Sequence, residues 1–317
     1  MKAAYPKLGI QTLCRLFGKT RHAYYDALCR DQNDELKDDL ILQLVKEIRK
    51  DLPRLGTRKL YDKLQGPLLE HKLDMGRDYL FDLLKNHKLL IRSRKRKAVT
   101  TDSRHWMRKY SNLIQGLVVT RANQVWVSDI TYIRFLNGFL YLALITDAYS
   151  RKIVGYSLRR DLSAEGCLKA LQMALNNRTT KNGSLIHHSD RGSQYCCKAY
   201  VDLLTENNIA ISMTNNGDPY ENAIAERVNG ILKQEFNLYS SQLSFEATCN
   251  WVEKSINAYN QLRPHGSCDY LTPDLAHQKE GVLVKRWKNY YKPNLLTHKF
   301  EKKEPCIAVL GLPKSSV

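Results

Sequence analysis

The segment from Val125 to Leu158 constrains this chain more than any other, because it reads as three consecutive strands joined by short turns. Val125-Trp126-Val127-Ser128-Asp129-Ile130-Thr131-Tyr132-Ile133 alternates as a strand with two different faces does. Asn137-Gly138 is a strong hairpin signal, and Phe139 to Ile145 returns as a buried strand. After a turn at Tyr149-Ser150-Arg151, Lys152 to Leu158 supplies the third strand. The expected product is an antiparallel meander. Beyond it, Ser163 is placed to cap a helix running to about Leu175, Leu185 to His188 forms a short strand, Lys198 to Asn207 a helix, and Ile209 to Met213 another short strand. Two longer helices follow, roughly Glu221 to Leu238 and Phe245 to Leu262.

The order βββαβαβα predicts an α/β fold, a ribonuclease-H-like mixed sheet with flanking helices, over residues 122–275. Ahead of it, residues 1–98 read as a small all-α, helix-turn-helix-like DNA-binding region. Its apolar periodicity predicts three short helices, around Ile41 to Ile48, Thr57 to Leu64 and Met75 to Lys85. Arg92, Arg94, Lys95, Arg96 and Lys97 crowd five charges into six positions, too dense to pack in a core and suited to DNA phosphates. Residues 99–121 are expected to be a basic linker, and residues 276–317 a basic and aromatic tail suited to stacking and charge contacts with nucleic acid.

Charge supports that direction. The net charge is +18, which favours a polyanionic partner. Residues 1–110 hold 26 Lys and Arg against 14 Asp and Glu, whereas residues 111–317 hold 24 against 18, so the front of the chain is the stronger grip. The longest apolar stretch, Gly138 to Ile145, falls far short of the roughly 20 residues of a membrane span. With no signal-peptide core at the N-terminus, a cytoplasmic, prokaryotic and nucleoid-associated location without membrane contact is expected. None of the eight cysteines forms a CxxC pair, so reduced thiols are expected and a zinc-finger reading fails.

Three carboxylates carry the candidate chemistry. Phosphodiesters resist attack, and enzymes that cut them commonly place two divalent ions about 3.5–4 Å apart, held by carboxylates aimed at one point. Asp129 falls mid-strand, on the face opposite Trp126 and Ser128. Asp190 follows the short strand at its C-terminal end, where open sheets keep their crevice. Glu226 projects from the first long helix, on a stripe with Asn222, Asn229 and Lys233 at steps of 4, 3 and 4. An Asp, Asp, Glu set suits Mg²⁺, with Mn²⁺ as substitute.

These residues resemble the integrase core of the insertion-sequence-three family of transposases, in its OrfB product. The resemblance lies in Trp126 to Ile133, Tyr141 to Gly155, His188-Ser189-Asp190-Arg191-Gly192-Ser193-Gln194-Tyr195, and Glu221-Asn222-Ala223-Ile224-Ala225-Glu226 through Leu232-Lys233-Gln234-Glu235-Phe236. The 35 residues between Asp190 and Glu226 match the family's spacing, and Lys233 stands at its basic position. Tyr259-Asn260, Arg263-Pro264-His265 and Leu271-Thr272-Pro273 resemble its closing motif, while Leu13 to Gly18 and Arg54 to Leu60 resemble its helix-turn-helix-like segment. Glu221 departs from the pattern, standing where many relatives have Asp, and the residues after Pro273 have no counterpart.

The resemblance implies a DDE transposase with Asp129, Asp190 and Glu226 as catalytic and metal-holding residues, using two Mg²⁺ per active site. It implies cleavage at the element's terminal inverted repeats, attack of the freed 3′-hydroxyl on target double-stranded DNA, an OrfA partner and at least a dimer on DNA. Lys233, Asn222, Asn229 and Arg227 are expected at the DNA, and His188, Gly192 and Gln194 as neighbours of the site. Competing readings are a nuclease of the same fold that hydrolyses without joining, and a non-catalytic DNA-binding regulator.

Overall fold

Thr20 opens the longest element of the chain, its side chain accepting from Ala23 N. In the computed structural model, which describes residues 6–91, 106–136, 138–178, 183–215 and 222–286, this helix, α2 (Arg21–Asp51), follows α1 (Ile10–Leu16) and precedes α3 (Thr57–Glu70) and α4 (Arg77–Asn86). The N-terminal region therefore holds four helices rather than three short ones, and α2 alone runs 31 residues. Only its C-terminal half carries the apolar stripe that sequence periodicity reveals: Ile41, Leu42 and Val45 are buried, while most of the first half is exposed. Burial of each such side chain contributes about 1.5–3 kcal/mol, so the packed end anchors the helix.

The meander forms as expected, with β1 (Val125–Phe135), β2 (Gly138–Asp147) and β3 (Ile153–Arg159). Phe135 pairs with Gly138, so the turn positions are 136 and 137, one residue earlier than an Asn137-Gly138 turn requires. Leu136 takes a φ of 46° there, and Asn137 itself lies outside the described residues. Next come α5 (Ala164–Asn176), β4 (Leu185–Ser189), the single turn α6 (Ser193–Cys196), α7 (Lys198–Glu206), β5 (Ile209–Met213), α8 (Ala223–Glu235), the two-residue β6 (Ser240–Ser241), α9 (Phe245–Gln261) and α10 (Pro273–His277). The sheet order is β3-β2-β1-β4-β5, with β4 and β5 parallel to β1 and β6 paired with the far end of β1. This is the ribonuclease-H-like mixed sheet with helices on both faces.

Alternation along β1 divides the core. Trp126 packs with residues of α5, α6 and α7 on one face, whereas Ile133 packs with residues of α8 and α9 on the other. The N-terminal helices join that second face, since Leu60, Leu64, Leu80 and Leu84 share its apolar cluster. One position on β3 admits no side chain: a Cβ on Gly155 would lie 2.1 Å from the Ala170 carbonyl oxygen, because α5 crosses β3 there at backbone contact.

Packing on the core continues past Ala276. His277 Nδ1 lies 3.0 Å from Ser150 Oγ, Gly281 N donates to Thr120 O, and Arg286 N donates to Gly266 O. The remaining tail residues lie outside the described ones, as do Arg92, Arg94, Lys95, Arg96, Lys97 and Glu221.

Candidate active site

β1 and β4 run parallel with Val127 level with His188; Asp129 lies two residues further along β1, and Asp190 follows Ser189, the last residue of β4. The parallel strands thus bring Asp190 near enough for its charge to act on Asp129. Asp129 Oδ1 accepts from Ile130 N at 2.9 Å, and Asp190 Oδ1 accepts from Gly192 N at 3.0 Å. Burial, then the charge of Asp190 and more weakly that of Glu226, push the Asp129 carboxyl up to about 7, against the hydrogen bond from Asn229. Two carboxylates this close favour a cation between them.

The third carboxylate arrives on α8. Asn222, at the N-cap of that helix, donates from Nδ2 to the Ser128 carbonyl at 2.9 Å, and Asn229 donates from Nδ2 to Asp129 Oδ2 at 2.7 Å. Both asparagines are buried, so they do not face DNA as expected from sequence; they tie α8 to β1. Glu226 lies between them on the same stripe and is exposed. Among the described residues no three His, Cys, Asp or Glu side chains are grouped at one metal-holding point, while the charge of Glu226 reaches Asp129. The donor set, all carboxylate oxygen, fits a hard divalent ion.

Lys233 is partly buried rather than fully extended toward DNA; burial lowers its ammonium and the charge of Asp129 raises it. Arg227 is exposed next to Glu226. Gly192 has an ordinary φ of −62°, so a tight turn is not why glycine stands there. A Cβ would come within 3.0 Å of Asp190 Oδ1 and 3.1 Å of Gln194 Oε1, so the residue is small to let the loop close on the carboxylate. Gln194 donates from Nε2 to Leu162 O. His188 is fully buried with Nδ1 2.8 Å from Ser212 Oγ, a structural role. Beneath the site, on the opposite face, Ser128 Oγ and Tyr200 Oη both lie within 2.9 Å of His187 Nε2. Burial depresses that imidazole to about 3, so it stays neutral and locks β1 to β4.

Two clusters were not anticipated from sequence. Asp147, fully buried, accepts from Ser150 N and Oγ and from Asn123 N, which shapes the β2–β3 turn. At the far end of α8, Glu235 receives Arg263 through Nε to Oε2 at 2.8 Å and Nη2 to Oε1 at 2.7 Å, while Lys59 of α3 donates to Oε1 at 3.2 Å. Arg263 is 1% exposed and stacks on Tyr259.

Comparison with known proteins places these elements. Integrase core domain models match residues 119–219 and 207–273. The insertion element IS600 uncharacterized 31 kDa protein of Shigella sonnei is 34% identical over 271 residues, covering 84% of this chain and 98% of that protein. The transposase InsF for insertion sequence IS3A of Escherichia coli (strain K12) is 27% identical over 291 residues, covering 86% of this chain and 95% of that one. Among solved structures, the HTLV-2 integrase catalytic core domain in complex with magnesium is 19% identical with a TM-score of 0.40, covering 50% of this chain and 98% of that chain.

Proposed function

Because this chain belongs to the insertion-sequence-three family of transposases and carries their integrase core domain, we propose that Asp129, Asp190 and Glu226 are its catalytic centre. As a DDE transposase the chain cuts and joins DNA strands, and the family depends on divalent metal. The observation that supports the assignment is Asp129 on β1 within reach of the charge of Asp190, which follows the parallel strand β4, with α8 tied over β1 through Asn222 and Asn229.

Asp129 and Asp190 stand together, and Glu226 on α8 completes the set. Two Mg²⁺, or Mn²⁺ in substitution, would be held by these three residues and supply activation of the attacking oxygen and charge relief for the leaving one. Asn229 keeps Oδ2 of Asp129 in one orientation, and Lys233 sets a positive charge beside it. Arg227 is the exposed cation nearest in sequence to Glu226 and meets DNA phosphate. The basic run Arg92, Arg94, Lys95, Arg96 and Lys97 adds contacts that carry no sequence information. The substrates are the terminal inverted repeats and target duplex; the chain acts as at least a dimer with an OrfA partner. Among the described residues no helix is long and apolar enough to cross a membrane.

The test is strand cleavage and joining on labelled element-end DNA, with OrfA supplied and Mg²⁺ or Mn²⁺ compared with EDTA. Asp129→Asn, Asp190→Asn and Glu226→Gln are each expected to abolish joining while DNA binding persists. Joining that survives one substitution removes that residue from the centre. Cleavage without joining in the wild type identifies a hydrolytic nuclease, and binding without chemistry under any metal identifies a regulator.

A further inference from the structure

Trp106 is 93% exposed, the most open large apolar side chain among the described residues. Nothing in its packing accounts for it. Its neighbours alternate in purpose: Met107 and Tyr110 pack against the cluster formed by Trp126, Tyr195 and Cys196, while Trp106, Arg108 and Lys109 are exposed. Arg108 lays its guanidinium over the Tyr110 ring, 5.1 Å from the centroid. Two inward residues therefore hold this strip, and an indole with two cations is left outward.

Its location follows from the hydrogen bonds that come next in the chain. Met213 N donates to Ser111 O, and Leu113 N donates to Ser212 Oγ, so residues 111–113 lie along the end of β5. Met213 is level with Ser189, the residue before Asp190. Lys109 and Asp190 both act on the Cys196 thiol, from opposite signs of charge. The strip thus borders the C-terminal ends of β5 and β4, just beyond which Asp190 lies.

We propose that Trp106, with Arg108 and Lys109, is a binding strip for an unpaired nucleotide of the DNA strand entering this site: the indole stacks on the base and the two cations take its phosphates. The inference rests on the catalytic reading above. An indole needs an open π-face, which an unpaired base offers and a base stacked in duplex does not, and such stacking tolerates any base. A strand opened next to the scissile phosphate has lost its own stacking partners, and Trp106 replaces them.

The experiment uses the full chain and two probes, a labelled oligothymidylate of 15 nucleotides and a duplex of mixed sequence, read by fluorescence anisotropy. Trp106→Ala is expected to weaken oligothymidylate binding by about five- to a hundred-fold, with duplex binding changed less than about two-fold. Trp106→Phe retains most of the affinity, and Arg108→Ala with Lys109→Ala weakens both probes and flattens the salt dependence. An unchanged thermal midpoint for Trp106→Ala confirms that the exposed residue has no folding role. Oligothymidylate binding equal to wild type, or equal losses on both probes, overturns the strip. Asp129→Asn separates the two readings: joining lost in that variant while Trp106→Ala binds like wild type leaves the centre intact and removes the strip. Joining that survives Asp129→Asn while Trp106→Ala loses oligothymidylate removes that residue from the centre and keeps the strip.

Discussion

Lys59→Met is expected to leave the protein as stable as wild type or more so, although it deletes an ion pair. Glu235 is held between two cations of unequal standing. Burial alone raises its carboxyl, but Arg263 and then Lys59 outweigh this and hold it at about 2. Arg263 supplies two bonds to that carboxylate and a third to the Pro264 carbonyl, at 3.2 Å. Lys59 supplies one, at 3.2 Å, and burial followed by the charge of Arg263 takes its ammonium from the ordinary 10.5 down to about 8. A fall of about 2.5 pH units corresponds to roughly 3 kcal/mol of unfavourable charging at neutral pH. A methionine of similar length removes that cost and forfeits a single hydrogen bond of about 1–2 kcal/mol, so the balance lies between no change and a gain of about 2 kcal/mol. Arg263→Met, by contrast, strips the better partner from a buried carboxylate and is expected to cost about 3–5 kcal/mol. Urea denaturation of the two variants and wild type measures both. Because the folded-state value of Lys59 is the lower one, the unfolded chain binds more protons between pH 8 and 10.5, and wild type gains stability as pH rises through that window. The difference between wild type and Lys59→Met isolates that slope. Equal losses in the two variants, or no difference in slope, would refute the reasoning.

Other expectations are simpler. Glu235 stability is fully present above about pH 4.5 and lost as pH falls through about 2, so Glu235→Gln should flatten the acid limb of the stability curve. Gly155→Ala should cost about 3 kcal/mol or more in urea denaturation, since the new methyl meets the Ala170 carbonyl. Asn229→Ala should lower joining about 10- to 100-fold without shifting the thermal midpoint by more than a few degrees, because Asp129 loses the donor that orients it. Asp147→Ala should cost about 3 kcal/mol, leaving the backbone N–H groups of Asn123 and Ser150 without their acceptor.

What was legible in the sequence was local. Alternation along β1 showed its two faces, and the grouping of Asp190 and Glu226 with Asp129 came from the family resemblance rather than from any local pattern. The stripe of Asn222, Glu226, Asn229 and Lys233 was legible too, but its direction was not. Helical spacing says that residues share a face and not whether that face meets water or a strand, and here two of the four turn inward to β1. The length of α2 was missed because its first half buries nothing, leaving no apolar period to detect. Lys59 and Glu235 stand 176 residues apart, so their meeting depends on tertiary packing that no window of sequence contains.

β1 finds β2 at once, across a turn of two residues, but its other neighbour must wait: Val125 pairs with Ile186, 61 positions along. Local pairings close early in folding and distant parallel ones late. A nascent chain ending before residue 185 therefore carries Asp129 on a bare strand edge, with neither Asp190 nor α8 beside it. Such an edge invites pairing with other chains and removal by proteases.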